Sequence, residues 1–174
     1  VQVILDEKEI AERIDDLVEQ IVGDIPADVT PALVGIRTRG QMIAERLQSK
    51  LAQRYTEPIE CGTLDITLYR DDLNQMGAAQ PIVRATEIDF NIDDRLIVLV
   101  DDVLNTGRSV RAALDALADL GRPRAIRLAI LIDRGQRELP IRPDYVGKIM
   151  DAPADKRVRV YLREVDEKEE VVLE

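Results

Sequence analysis

The sequence predicts an α/β fold, a central and mainly parallel sheet flanked by helices, on three observations. Short, near-continuous aliphatic runs (PALVGI, RLIVLV and AIRLAILI) have the composition of strands buried on both faces. Segments with helical apolar spacing alternate with them, the order that lays helices over a sheet. The third observation is local. In RLIVLVDDVLNTGRSV, residues 95–110, a pair of aspartates follows an aliphatic run and leads into a helix start. Ligands of open α/β sheets gather at the carboxyl ends of strands.

Taken in order, LDEKEIAERIDDLVEQIVG reads as a first helix. Asp6 and Glu9 form a capping-box pattern, and Ile10, Ile14, Leu17, Val18 and Ile21 make the apolar stripe. Gly23 is positioned to end it. Its outward face is Glu12, Asp15, Asp16 and Glu19. PALVGI is a buried strand running into RTRG, and residues 40–54 form a helix with Met42, Ile43, Leu47 and Leu51 inward. GTLDITLY is a strand, and the polar, aperiodic stretch from Arg70 to about Arg84 is a loop. RLIVLV is the next strand, followed by a helix over SVRAALDALADLG with Val110, Ala113, Leu114 and Leu117 inward. Gly121 and Pro123 stop that helix. AIRLAILI is a further strand, and RVRVYLREV with EVVLE makes a closing antiparallel pair.

Composition narrows the chemistry. With 174 residues, 33% charged and 45% hydrophobic, the profile is that of one globular domain over 1–174. No apolar run approaches the roughly 20 residues of a membrane span, and the acidic opening does not read as a signal peptide. Cys61 is the single cysteine, so no internal disulfide is expected and a reducing cytoplasm fits. Histidine is absent. That excludes Ser-His-Asp and Cys-His catalysis and His-ligated zinc, leaving carboxylates, Arg/Lys, backbone amides or a hard cation such as Mg²⁺. The net charge of −10 sits at the two ends. Acids outnumber bases eight to two over residues 1–24 and six to two over 161–174. A broad nucleic-acid surface would need clustered Lys/Arg instead.

At 101–109 the two acids stand one turn from a helix start. Amides of Thr106, Gly107, Arg108 and Ser109, the helix dipole and two hydroxyls suit a phosphate. Asp101 and Asp102 can accept from ribose hydroxyls, so the stretch fits a phosphorylated sugar. Paired acids after a strand also mark Walker B sites, but no GxxxxGK[ST] is present. They also mark response-regulator receivers, where the pair lies near the N-terminus, and a purely structural turn is a further alternative.

The thirteen positions 97–109, four apolar residues, two acids, two apolar and x-T-G-x-[TS], resemble the PRPP (5-phosphoribosyl diphosphate) signature of type I phosphoribosyltransferases. LVGIRTRG, DITLYRDDL and DRGQRELPIRPDYVGK narrow the resemblance to the PyrR family, uracil phosphoribosyltransferases that can double as pyrimidine-operon RNA attenuators. It covers nearly the whole chain, from VILDE onward. The resemblance implies the type I phosphoribosyltransferase fold with a small C-terminal or hood region, and conversion of uracil and PRPP to UMP and diphosphate.

It also implies roles. Arg37, Thr38, Arg39 and Gly40 would form the diphosphate loop, with a cis peptide at Thr38–Arg39. Asp101, Asp102, Val103, Leu104, Asn105, Thr106, Gly107, Arg108 and Ser109 would hold PRPP, with Arg39 and the two aspartates catalytic. Mg²⁺ would bridge diphosphate and ribose, touching protein at Asp101 and Asp102. Residues 70–84 would be a flexible lid hinged at Tyr69, Arg70, Asp71 and Asp72. A hood over about 133–150 would hold the base, with Tyr145 stacking, the Val146 backbone reading the edge, and Asp133, Arg134 and Lys148 around it. The alternative for Tyr145 is a plain core aromatic. Asn105 stands where purine-type relatives have an aspartate and PyrR relatives commonly Tyr; no general base is named by the sequence.

Arg137, Arg142 and Lys148 match basic positions of the family's RNA face, whereas Asp15, Asp16 and Glu19 replace its Thr, Arg and His, and Gln136 replaces another His. The implied partners are PRPP, uracil, UMP or UTP, leader RNA and a second copy in a homodimer. An attenuator with a vestigial enzyme site is the competing expectation.

Overall fold

The computed structural model describes residues 1–72 and 86–174. The elements run β1 (Gln2–Leu5), α1 (Glu7–Asp24), β2 (Ala32–Ile36), α2 (Arg39–Leu51), β3 (Cys61–Leu64), β4 (Leu96–Leu104), α3 (Arg108–Leu120), β5 (Ala125–Asp133), β6 (Tyr145–Ile149), β7 (Val158–Tyr161), α4 (Arg163–Asp166) and β8 (Glu170–Leu173). Among the described residues, five strands form a parallel sheet in the order β3-β2-β4-β5-β6. A second sheet, β1-β8-β7, is antiparallel.

Burial explains the layers. Ile10, Ile14, Leu17, Ile21, Ile43 and Leu47 of α1 and α2 pack with Leu33, Val98, Val100 and Leu131 on one face of the parallel sheet. Val110, Ala113, Ala116 and Leu117 of α3 pack with Val34, Leu99 and Ile130 on the other. Alternation along β2, β4 and β5 feeds both clusters, which is why those strands read as continuous aliphatic runs. Strand order reverses between β2 and β4, and the turns after these strands open onto the same end of the sheet.

Several expectations are refined. The capping box forms as read: Glu9 N donates to Asp6 Oδ1 at 2.8 Å and Asp6 N to Glu9 Oε2 at 2.9 Å. Gly23 lies inside α1, however, and the helix ends at Ile25, whose extended backbone precedes Pro26. GTLDITLY is a strand only through Leu64, then a single 3₁₀ turn over Thr67–Tyr69. The strand carrying the acid pair continues to Leu104, so Asp101 pairs with Ile130 inside the sheet rather than after it. The closing antiparallel pair is β7 with β8, and β1 joins it on the far side of β8. No helix among the described residues is long and apolar enough to cross a membrane.

Candidate active site

Two turns and one helix start converge at the switch point. Beyond β2, the Arg37–Thr38 peptide is cis, one bond earlier than the family resemblance implied. Arg37 Nη2 donates to Thr63 Oγ1 at 3.1 Å. Gly40 opens α2 directly against β4: a Cβ there would lie 2.5 Å from the Val100 carbonyl oxygen and 3.1 Å from Asp101 Cα. Only glycine lets the two backbones come this close.

The acid pair is buried on one side and open on the other. Asp101 is 8% exposed and Asp102 half-buried. Asp102 N donates to Asp101 Oδ1 at 2.9 Å, and Val103 N to Asp102 Oδ1 at 2.8 Å. No cation among the described residues forms a salt bridge with either. Burial, and then the adjacent Asp102 charge, push the Asp101 carboxyl well above the ordinary carboxylate range.

A cavity of about 290 Å³ brings together Arg37, Thr38, Arg39, Asp65, Thr67, Arg70, Asp101, Asp102 and Ser109. Gly107 adopts φ +94, turning β4 into α3, whose first-turn amides have no intrahelical acceptor. One of them, Arg108 N, leans on Thr106 Oγ1 at 3.3 Å. Beside this helix end lies a hollow of about 210 Å³ between Arg70, Asp71, Asp72, Thr106, Arg108 and Ser109. Leu104 is buried in the core and Asn105 is exposed. The expected hinge is pinned to α3: Tyr69 Oη donates to Asp119 at 2.7 Å and Asp71 pairs with Arg108 at 2.7 Å. Arg70 and Asp72 pair with each other. The rest of the expected lid, residues 73–84, lies outside the described residues.

The hood expectation is corrected. Tyr145 is 2% exposed, packs in the α1 core cluster, and donates from Oη to Asp24 Oδ2 at 2.6 Å. It begins β6, level with Val100 but two strands across the sheet from the acid pair, with its ring in the α1 cluster, so it is the plain core aromatic. Val146 is equally committed: its N–H donates to Gln20 Oε1 at 2.9 Å and its carbonyl accepts from Gln20 Nε2 at 2.8 Å. Arg134 is buried, donating to the carbonyls of Lys156, Ala152 and Pro153, so it shapes the 152–156 loop rather than lining the cleft. Asp133 is bridged by Arg137, whose remaining donors reach the Asn105 and Ile141 carbonyls. Arg137 therefore braces the 105–107 turn. Lys148 is half-buried and Arg142 exposed.

What sequence reasoning missed is the place of β7 beside the acid pair. A hollow of about 310 Å³ is lined by Arg39, Asp102, Val103, Val158, Arg159 and Val160. Arg157 and Glu174 exchange both backbone hydrogen bonds, so alternation directs the N–H and C=O of Val158 and Val160 away from β8. This second chamber shares Arg39 and Asp102 with the first.

The outward acids of α1 are also not bare. Asp15 pairs with Lys50 at 2.7 Å, Glu19 with Arg54 at 2.6 Å, and Asp16 with Arg13 at 3.2 Å.

Against this geometry, the model of the phosphoribosyl transferase domain family matches residues 1–158. The chain is 49% identical over 171 residues to the bifunctional protein PyrR of Alkaliphilus metalliredigens, covering 98% of this chain and 93% of that protein. It is 50% identical over 163 residues to the bifunctional protein PyrR of Deinococcus radiodurans, covering 94% and 88%. In structure it is similar to the hypoxanthine phosphoribosyltransferase of Trypanosoma cruzi, with a TM-score of 0.71 at 17% identity over 99% of this chain and 95% of that one. A purine phosphoribosyltransferase from Pyrococcus horikoshii gives 0.62 at 20%, over 84% and 85%. At these identities the two structures speak for the fold alone.

Proposed function

Because this chain belongs to the phosphoribosyl transferase domain family, and within it to the PyrR group, we propose that it transfers the phosphoribosyl group of PRPP to uracil, giving UMP and diphosphate. The carrying observation is the pair of chambers that meet at Arg39 and Asp102. One is polar and rimmed by the acid pair, the Arg37–Gly40 turn and the start of α3; the other is walled by Val103 and β7.

In this reading Asp101 and Asp102 accept from the ribose hydroxyls, and the 5-phosphate sits on the first turn of α3 with Thr106 and Ser109. Diphosphate lies against Arg37, Arg39 and the amides of the cis turn. Uracil lies against Val103 and Val158, where the outward N–H and C=O of Val158 and Val160 match alternating acceptors and donors on a pyrimidine edge. The bond from ribose C1 to diphosphate oxygen breaks as the bond from C1 to uracil N1 forms, and the N1 proton passes to the departing diphosphate. Exclusion of water and charge stabilisation of the leaving diphosphate carry the rate. Asn105 is neutral and exposed, so it takes no proton.

The donor set fits Mg²⁺. No cluster of three or more His, Cys, Asp or Glu side chains suited to a metal occurs among the described residues. Two adjacent carboxylates with substrate oxygens and water are the mixed hard-oxygen shell that Mg²⁺ prefers. Bound there, it would neutralise diphosphate charge.

The test incubates the protein with Mg²⁺, PRPP and radiolabelled uracil, with hypoxanthine in parallel. UMP formation with uracil preferred is expected; IMP formation, or no nucleotide, overturns the assignment. The name "bifunctional" carried by the relatives supports a second role, binding of pyrimidine-leader RNA tuned by UMP or UTP in a cytoplasmic homodimer. Arg142 and Lys148 are its remaining basic contacts, and a gel shift on a leader hairpin decides it.

A further inference from the structure

We propose that Asp166, in the four-residue helix α4, is a positioning residue that fixes Arg39 at the junction of the two chambers. The inference deepens the function proposed above and rests on Arg39 contacting diphosphate. Asp166 Oδ1 accepts from Arg39 Nη2 at 2.6 Å, with side-chain exposures of 12% and 34%. The other oxygen, Oδ2, accepts from the backbone N–H of Leu162 at 2.8 Å. Both oxygens are engaged, so the carboxylate cannot swing and the guanidinium it holds is fixed in direction. Arg39 Nε is buried and has no hydrogen-bond partner among the described residues. A buried charged donor without an acceptor is rare in a folded protein and is retained at sites rather than in framework.

The segment carrying Asp166 is itself anchored. Arg46, two turns along α2 from Arg39, donates to Glu164 at 2.8 and 2.7 Å and to Glu169 at 2.9 Å. Leu162, whose amide orients Asp166, is fully buried and directly follows β7, the wall of the base chamber. A continuous path therefore runs from β7 through Leu162 and Asp166 to Arg39. A surface ion pair would have neither the second hydrogen bond nor the anchor.

The experiment compares wild type, Asp166→Asn, Asp166→Glu, Arg39→Ala and the Arg39→Ala/Asp166→Asn double variant. It reads kcat and KM for PRPP and uracil, direct binding of Mg·diphosphate, and Tm. Asn keeps an acceptor for Leu162 N–H, so the fold is spared while the charge-assisted bond is lost. Asp166→Asn should weaken diphosphate binding and raise KM for PRPP about tenfold. KM for uracil should move less than twofold, and Asp166→Glu should recover part of the loss. In the Arg39→Ala background, Asp166→Asn should add nothing further. Should Asp166→Asn fold poorly, the Asp166→Glu values for diphosphate against uracil decide the matter. Diphosphate affinity equal to wild type, uniform loss of all ligands, or additive effects in the double variant would overturn the proposal. Wild type that neither binds diphosphate nor forms UMP removes the phosphoribosyl assignment and this inference with it. Wild type active and Asp166→Asn indistinguishable from it removes this inference alone.

Discussion

Two charged regions sit within a short reach of α2 and treat their charges in opposite ways. At Arg46 everything is matched: two carboxylates share one guanidinium, which holds its proton more tightly than a free arginine. At Asp101 and Asp102 no cation among the described residues forms a salt bridge with either acid, and burial leaves Asp101 reluctant to ionise. Matched charges close a structure, whereas an unmatched buried pair costs stability and is retained where a ligand completes it. The contrast separates framework from site without reference to any relative.

The sharpest way to break the comparison is Asp101→Asn with Asp102→Asn. PRPP affinity should fall by at least about 100-fold, roughly 3 kcal/mol, while stability should rise by about 1 kcal/mol. Calorimetric titration and urea unfolding measure the two arms, and a loss of stability would contradict the unmatched-charge account. The pH dependence has a definite sign. A raised carboxyl pKa means that the folded protein binds this proton more tightly than the unfolded chain. The stabilisation is complete below the ordinary carboxyl range, about pH 4, and is lost as pH rises through the raised value. The advantage of Asp101→Asn over wild type should therefore grow as pH rises from about 4 through the raised value.

Arg46→Ala tests the matched region. It should cost about 2 kcal/mol, less than a fully buried pair because solvent reaches Glu164. Tyr145→Phe should cost about 1 kcal/mol through the lost bond to Asp24 and leave KM for uracil unchanged; a raised KM would restore the stacking role. The smallest effect belongs to Glu19→Gln, an exposed pair with Arg54, whose urea unfolding midpoint should match that of wild type.

Legibility followed chain distance. The strands holding Leu33, Leu99 and Ile130 were visible because burial on both faces forces continuous aliphatics, and the Asp6–Glu9 cap because its signal spans four residues. The acid pair with Thr106–Gly107 was equally local. Tyr145 and Val146 were misplaced because an aromatic before Val-Gly-Lys reads alike in an edge strand or over a ligand. Only the contacts with Asp24 and Gln20, more than 120 positions away, decide between them. The strand in RVRVYLREV was read correctly only over Val158–Tyr161, since Arg163 opens the helix α4, and its approach to Asp102 is a property of the assembled fold. Asp166 had no signal beyond an acidic tail.

The amide of Gln20 has a wider consequence. By occupying both the N–H and the C=O of Val146, it seals the outer margin of β6 at mid-strand. A continuous sheet running from one molecule into the next is thereby blocked at this border.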